Sequence, residues 1–196
     1  KAAAIVLRDR LQTLLLQVAR RVLFGLRAVV HGFAADRSGN TCGAGASCAL
    51  QCDHCQSRVL ESMQAVNGTS LFELARRAAG RGARGILVSG GCDSQGRVPL
   101  LAHVPDLKRI RSELGLLVRV HPGLPDERTA AALGEVGLDG AMLDVIGAEE
   151  TIREVYHLEV GVEEYAATLE RLDRHGVPMV PHIVLGLHYG RMLGEW

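Results

Sequence analysis

From residue 70 onward, short apolar runs alternate with amphipathic stretches of ten to fifteen residues. The runs are GILVSGG (85–91), LLVRVHP (116–122), LDGAMLDVI (138–146) and PMVPHIVLGL (178–187). Helical periodicity fills 70–82, 103–115, 126–137 and 162–176, with Ser70 as a predicted N-cap and Gly80, Gly82 and Gly115 as stops. Apolar strands that alternate with helices of this length predict βαβ units and a parallel sheet covered by helices. A weak first strand is expected near 40–47, where RSGNTCGAGAS is poor in β-branched residues. That makes five strands. His103 and Asp106 read as the cap and first turn of a surface helix.

Length and charge narrow the rest. The 196 residues suit one domain with a substantial core. Lys plus Arg and Asp plus Glu both number 22, so no net field points to nucleic acid or an acidic surface. The stretch before residue 34 is rich in Leu and Arg, a composition shared with amphipathic transit peptides. Its continuous stripe of Leu7, Leu11, Leu14, Leu15, Val18 and Val22 favours a helical extension over residues 1–33. Arginines interrupt it too often for a membrane span. The chain begins at Lys1 rather than Met, so its true start is expected upstream.

The polar residues fall at strand ends. Ser89-Gly90-Gly91, His121-Pro122, Asp144, and His188 with Gly190 each follow an apolar run on its C-terminal side. In βα barrels that rim carries the chemistry. His182 and His188 read equally well as structural histidines or as site contacts.

SCALQCDHCQS (47–57) sets Cys48, Cys52 and Cys55 in a C-x₃-C-x₂-C array, one thiol short of a closed tetrahedral site. Cys42, His54 and Cys92 are available as a fourth zinc ligand. Alternatively three thiolates hold three irons of a [4Fe–4S] cluster and leave the fourth iron open to a small molecule. Five cysteines, three of them clustered, suit a reducing, cytoplasmic setting better than a disulfide framework.

With the cysteine array and the Gly-Gly strand end together, residues 46–195 resemble the radical S-adenosylmethionine (SAM) superfamily. His54 stands where that family carries a ring, and VSGGCDS where its Gly-Gly-Glu turn lies. AMLDVIGAEETIREVYHLEVGVEEYAATLERLDRHGVPMVPHIVLGL is similar to the biotin synthase and lipoyl synthase branch, and SGGCDSQGRVPL to archaeal-type two-subunit lipoyl synthases. The resemblance implies a partial (βα)6 TIM-type barrel over 34–196 after the helical extension. It also implies a [4Fe–4S] cluster on Cys48, Cys52 and Cys55, with SAM against Ser89, Gly90 and Gly91. Asp144 would meet the ribose, and Ile183 and Gly186 the adenine. The implied activity is reductive SAM cleavage to a 5′-deoxyadenosyl radical for hydrogen abstraction, including sulfur insertion of the lipoyl synthase type. The implied partners are a small-molecule or acyl-carrier-protein-linked substrate, an electron donor of ferredoxin or flavodoxin type, and a paralogous subunit.

Three departures keep other readings open. Cys92 replaces the acid of the Gly-Gly-Glu turn, Glu163 stands where biotin synthases carry an arginine, and IVLGLHYG is one residue longer than its counterpart. The alternatives are mutase or methylthiolation chemistry, a catalytically silent radical SAM partner, or a zinc-stapled binding module. Six βα units are implied and the sequence stops just past the fifth strand. A longer polypeptide, with about 80 or more residues absent, is therefore expected from typical barrel sizes.

Overall fold

Valine, isoleucine and leucine concentrated in short runs form strands that are buried on both faces, which a parallel sheet with helical cover requires. The computed structural model describes residues 30–34, 48–61, 63–66 and 69–195. Its strands are β1 (Val30–Ala34), β2 (Gln64–Ala65), β3 (Gly85–Ser89), β4 (Leu117–Val120), β5 (Gly140–Asp144) and β6 (Met179–His182). They form one sheet in the order β2-β1-β3-β4-β5-β6, every pair parallel. The helices are α1 (Arg58–Glu61), α2 (Leu71–Gly80), α3 (Val104–Arg109), α4 (Glu127–Val136), α5 (Glu149–Glu154) and α6 (Val162–Arg174). A 3₁₀ turn, Leu100–His103, leads into α3, and a π turn, Ile110–Leu114, follows it.

The core lies between sheet and helices. Ile86 and Val88 of β3, and Val118 and Val120 of β4, are fully buried against Leu71, Leu107, Ile110 and Leu133. Helix α2 presents Leu71, Leu74, Ala75 and Ala78 to this core, the i, i+3, i+4, i+7 stripe of an amphipathic helix. Ser70 caps it as expected, its Oγ accepting from Glu73 N at 3.1 Å. Asp106 does more than open its own helix: its carboxylate accepts from Phe72 N at 3.2 Å and caps α2 as well. Asp126 caps α4 through Thr129 N at 2.8 Å, and Gly137 closes that helix in the left-handed region.

Helices α4 and α6 meet closely at Gly134, where an added Cβ would lie 2.4 Å from the His175 carbonyl oxygen. Charges beside this contact hold the pair together. Arg171 of α6 donates to the Pro125 carbonyl at 2.7 Å and to Glu164 at 3.3 Å. Glu127 faces His175 at 2.7 Å and Arg174 at 3.0 Å.

Several sequence-based boundaries differ. The strand expected near 40–47 falls outside the described residues, as do residues 1–29 of the helical extension. Val30–Ala34 is a strand, so the end of the 1–33 segment is not helical. A short apolar run cannot be assigned to strand or helix by periodicity alone. The two-residue β2 is too short to leave a pattern, and with these two the described strands number six. The last apolar run leaves the sheet after His182, and Leu185 is 71% exposed. Gly186 and Gly190, both at positive φ, turn the chain there. Among the described residues no helix is long and apolar enough to cross a membrane.

Gly134→Ala tests the α4–α6 contact. Helix propensity alone would favour alanine by about 1 kcal/mol, whereas forcing a methyl into a packed contact costs about 1–3 kcal/mol. A thermal melt should therefore show a lower Tm for the variant. A higher Tm would mean that the helices are not in close contact at this point.

Candidate functional site

The cysteine array forms a tight loop between β1 and α1. Cys55 N and Gln56 N both donate to the Cys52 carbonyl, at 3.0 and 2.7 Å, and Arg58 N donates to the Cys55 carbonyl at 2.9 Å. Gln51, Gln56 and Ser57 hold φ of 47°, 48° and 61°, a region that costs non-glycine residues energy and persists only under external constraint. The constraint is visible. Gln51 Nε2 donates to the Cys48 carbonyl at 2.7 Å and to Ser57 Oγ at 3.0 Å. Asp53 N donates to the Val155 carbonyl at 3.0 Å. His157, itself at φ 56°, donates from Nδ1 to the Leu50 carbonyl at 2.8 Å and sets Nε2 3.2 Å from Asp53. Tyr189 donates its hydroxyl to the same Asp53 carboxylate.

This loop forms one wall of a cavity of about 310 Å³. Cys48, Cys52, Cys55 and Cys92 all line it, together with Ser89 at the end of β3, Gly90 just past it, His121 past β4 and Asp144 at the end of β5. Parallel strands in register bring these ends together, as the rim pattern in the sequence predicted. Leu60, Met63, Leu87, Leu124 and Leu158 supply apolar wall, and none of the described lining residues is Arg or Lys. Gly91, Ile183 and Gly186 do not line the cavity. Ile183 is 44% exposed and adjoins His182, while Gly186 N donates to Glu195 at 3.0 Å. Glu163 folds back over Gly161 and brings no charge to the cavity. Cys42 falls outside the described residues.

Asp144 is the electrostatic hub. Tyr156 donates its hydroxyl to Oδ2 at 3.2 Å, while His121 Nε2 and His182 Nδ1 each stand 3.7 Å away. Burial opposes ionisation, yet His121, Tyr156 and His182 together outweigh it and hold the carboxyl below its usual range. Burial, then the Asp144 charge, push the Tyr156 hydroxyl well up, so it remains a donor. His54, at the ring position of the array, lies against Tyr156 with ring centroids 4.9 Å apart. Tyr156 and His157 were legible only as a polar YH pair after α5. Their roles depend on contacts more than 100 residues away in sequence.

His182 and His188 separate in the structure. His182 borders the site through Asp144, whereas His188 is buried between Thr151, at 3.3 Å, and Glu154, at 3.6 Å, and lies off the cavity.

The thiols are poised unequally. A hydrogen bond with Cys92 lowers Cys48 to about 5, while burial and then the Cys48 charge push Cys52 up to about 12. Ionising Cys52 beside a Cys48 thiolate therefore calls for a cationic centre between them. The donor set fits a [4Fe–4S] cluster, in which each thiolate takes its own iron. A mononuclear zinc site would gather every ligand about 2.3 Å from one ion. Among the described residues no three His, Cys, Asp or Glu side chains converge in that way.

A family model described as Radical SAM superfamily matches residues 44–191. Among solved structures, methylornithine synthase (PylB) is similar, with a TM-score of 0.58 at 18% identity. The match covers 84% of this chain and 47% of that one, so the chain spans about half its length. This likeness concerns the fold: a partial α/β barrel of parallel strands. No curated protein matches the chain.

Replacing Asp144 by Asn tests the hub. A carboxyl held below its usual range stabilises the fold above about pH 4, the ordinary aspartate value. That contribution fades as pH falls through the lowered folded value. Denaturant melts should thus show Asp144→Asn less stable at pH 6, with the gap closing at lower pH. A gap that stays constant down to pH 2 would remove Asp144 from the ionised network.

Proposed function

The chain belongs to the radical SAM superfamily, and we propose that it is an enzyme that cleaves SAM reductively at a [4Fe–4S] cluster held by Cys48, Cys52 and Cys55. One observation carries the reading: these three thiols, from one strained loop, share a cavity with the β3 strand end and Asp144. When bound, the cluster supplies the electron that splits the SAM sulfonium into methionine and a 5′-deoxyadenosyl radical able to take hydrogen from an unactivated carbon.

The chain's own residues do the binding and orienting. Cys48, Cys52 and Cys55 would hold the cluster with three thiolates, and its remaining iron would be open to the amino and carboxylate groups of SAM. Gly90, lacking a Cβ, would let the main chain approach the amino group closely, and Ser89 lines the same cavity. Gly91 continues this turn behind the lining. Asp144, kept ionised, accepts from a ribose hydroxyl more strongly than a neutral group would. Ile183, next to His182, is suited to the adenine edge. Gly186, tied to Glu195, has no such support. The leucines and Met63 exclude water from the radical.

That apolar wall also supports a finer reading. An aliphatic chain would be the hydrogen donor, as sulfur insertion of the lipoyl synthase type requires. The substrate would be a small molecule or a chain tethered to an acyl carrier protein. With all four described cysteines lining one cavity, the inserted sulfur would come from a paralogous partner subunit or from further sequence of the same polypeptide. A ferredoxin or flavodoxin would supply the electron.

Anaerobic reconstitution with iron and sulfide, followed by dithionite and SAM, should yield 5′-deoxyadenosine. Octanoyl peptides in the same assay should gain sulfur if the finer reading holds. Cys48→Ala, Cys52→Ala and Cys55→Ala should each lose the broad iron–sulfur absorbance and the product together. A chain that binds zinc in preference to iron and leaves SAM intact would overturn the proposal.

A further inference from the structure

Tyr165 lines the cavity, yet the SAM-cleavage reading gives it no task. It lies one turn into α6 and is 4% exposed. Its ring belongs to an apolar core formed with Leu50, Cys52, Leu124 and Leu158, against which Cys48 and Cys55 pack. Tyr165 therefore stands on the thiol side of the cavity. Its hydroxyl has no hydrogen-bond partner among the described residues.

The other hydroxyls of the lining are accounted for. Tyr156 donates to Asp144 at 3.2 Å, and Ser57 Oγ accepts from Gln51 Nε2 at 3.0 Å. Ser89, also without a partner, is buried at the end of β3, where the amino group of SAM would lie. A buried hydroxyl without a partner is unfavourable, so Tyr165 calls for a group that the described residues do not supply. Burial, then the Asp144 charge, push its ionisation well up, so it remains a donor and needs an acceptor.

The strongest acceptor on SAM is its carboxylate, and a hydrogen bond to a charged oxygen is stronger than one between neutral groups. None of the described lining residues is Arg or Lys, so none of them offers that carboxylate a permanent cation. Glu163, at the position where the resemblance implies an arginine, folds back over Gly161. Tyr165 follows it by two residues and does line the cavity. We propose, on the strength of the SAM reading above, that Tyr165 is a binding residue whose hydroxyl donates to the SAM carboxylate. An uncharged donor thus takes the place of a guanidinium.

The test compares the cluster-loaded protein with its Tyr165→Phe variant by anaerobic titration calorimetry, without reductant. The probes are SAM and decarboxylated SAM, which keeps the sulfonium, the amine and the nucleoside. Tyr165→Phe should bind SAM about tenfold more weakly, as loss of one charge-assisted hydrogen bond implies, and decarboxylated SAM equally well. Without SAM, the variant should melt at the same Tm as the unsubstituted protein or higher, since it loses a hydroxyl that bonds nothing. A lower Tm would reveal an internal partner and overturn the inference. Equal SAM affinities would overturn it too, and so would an equal loss with both probes, which would move the contact off the carboxylate. If the cluster-loaded unsubstituted protein does not bind SAM, the SAM reading falls and this inference with it.

Discussion

The register of the parallel sheet is the constraint on which the site depends. Val88 of β3 pairs with Val120 of β4, and Val120 pairs with Ala141 of β5. With those pairs fixed, Ser89, His121 and Asp144 emerge at one end of the sheet and face one cavity. A slip of one residue would exchange the two faces of a strand and send its buried valines toward the opposite layer. The same core contacts that stabilise the fold thereby align the polar strand ends. No separate device is needed to bring them together.

The second layer of organisation is electrostatic. The cavity gathers thiols, a carboxylate and imidazoles, while the arginines of the described chain are spent elsewhere, chiefly on helix pairs such as Arg171–Glu164 and Arg76–Glu73. Around Asp144 stand His121, His182 and a tyrosine hydroxyl rather than a guanidinium. Such a site suits a ligand that brings its own positive charge, as a sulfonium does.

Much of this was legible in the sequence because it rests on local pattern. The βα alternation, the Ser70 cap, the three-thiol array and the polar strand ends each occupy a short window. What escaped depends on distance. The strand at Val30–Ala34 follows an arginine-rich leucine stripe and carries no period of its own. Ile183 and Gly186 were placed on a strand that in fact ends at His182, because two turning glycines outweigh the apolar composition after it. The equal weighting of His182 and His188 was resolved only by their neighbours, a carboxylate in the cavity for one and Thr151 of α5 for the other. Asp106 read as part of the first turn of its own helix, and its reach to α2 is a tertiary fact.

The tethers on the cysteine loop carry a consequence for the order of events during synthesis. His157 reaches Leu50 across 107 positions, and Tyr189 reaches Asp53 across 136. Contacts of such span form late, because the intervening chain must be ordered first. At about 5–20 residues per second, the 136 positions to Tyr189 put the thiols about 7–27 seconds ahead of the last tether. Until then the loop has no reason to hold its left-handed residues, and its sulfurs are open to any oxidant or stray metal. A metal centre on these thiols would therefore have to wait for the distal half of the chain while the proximal thiols stay reduced.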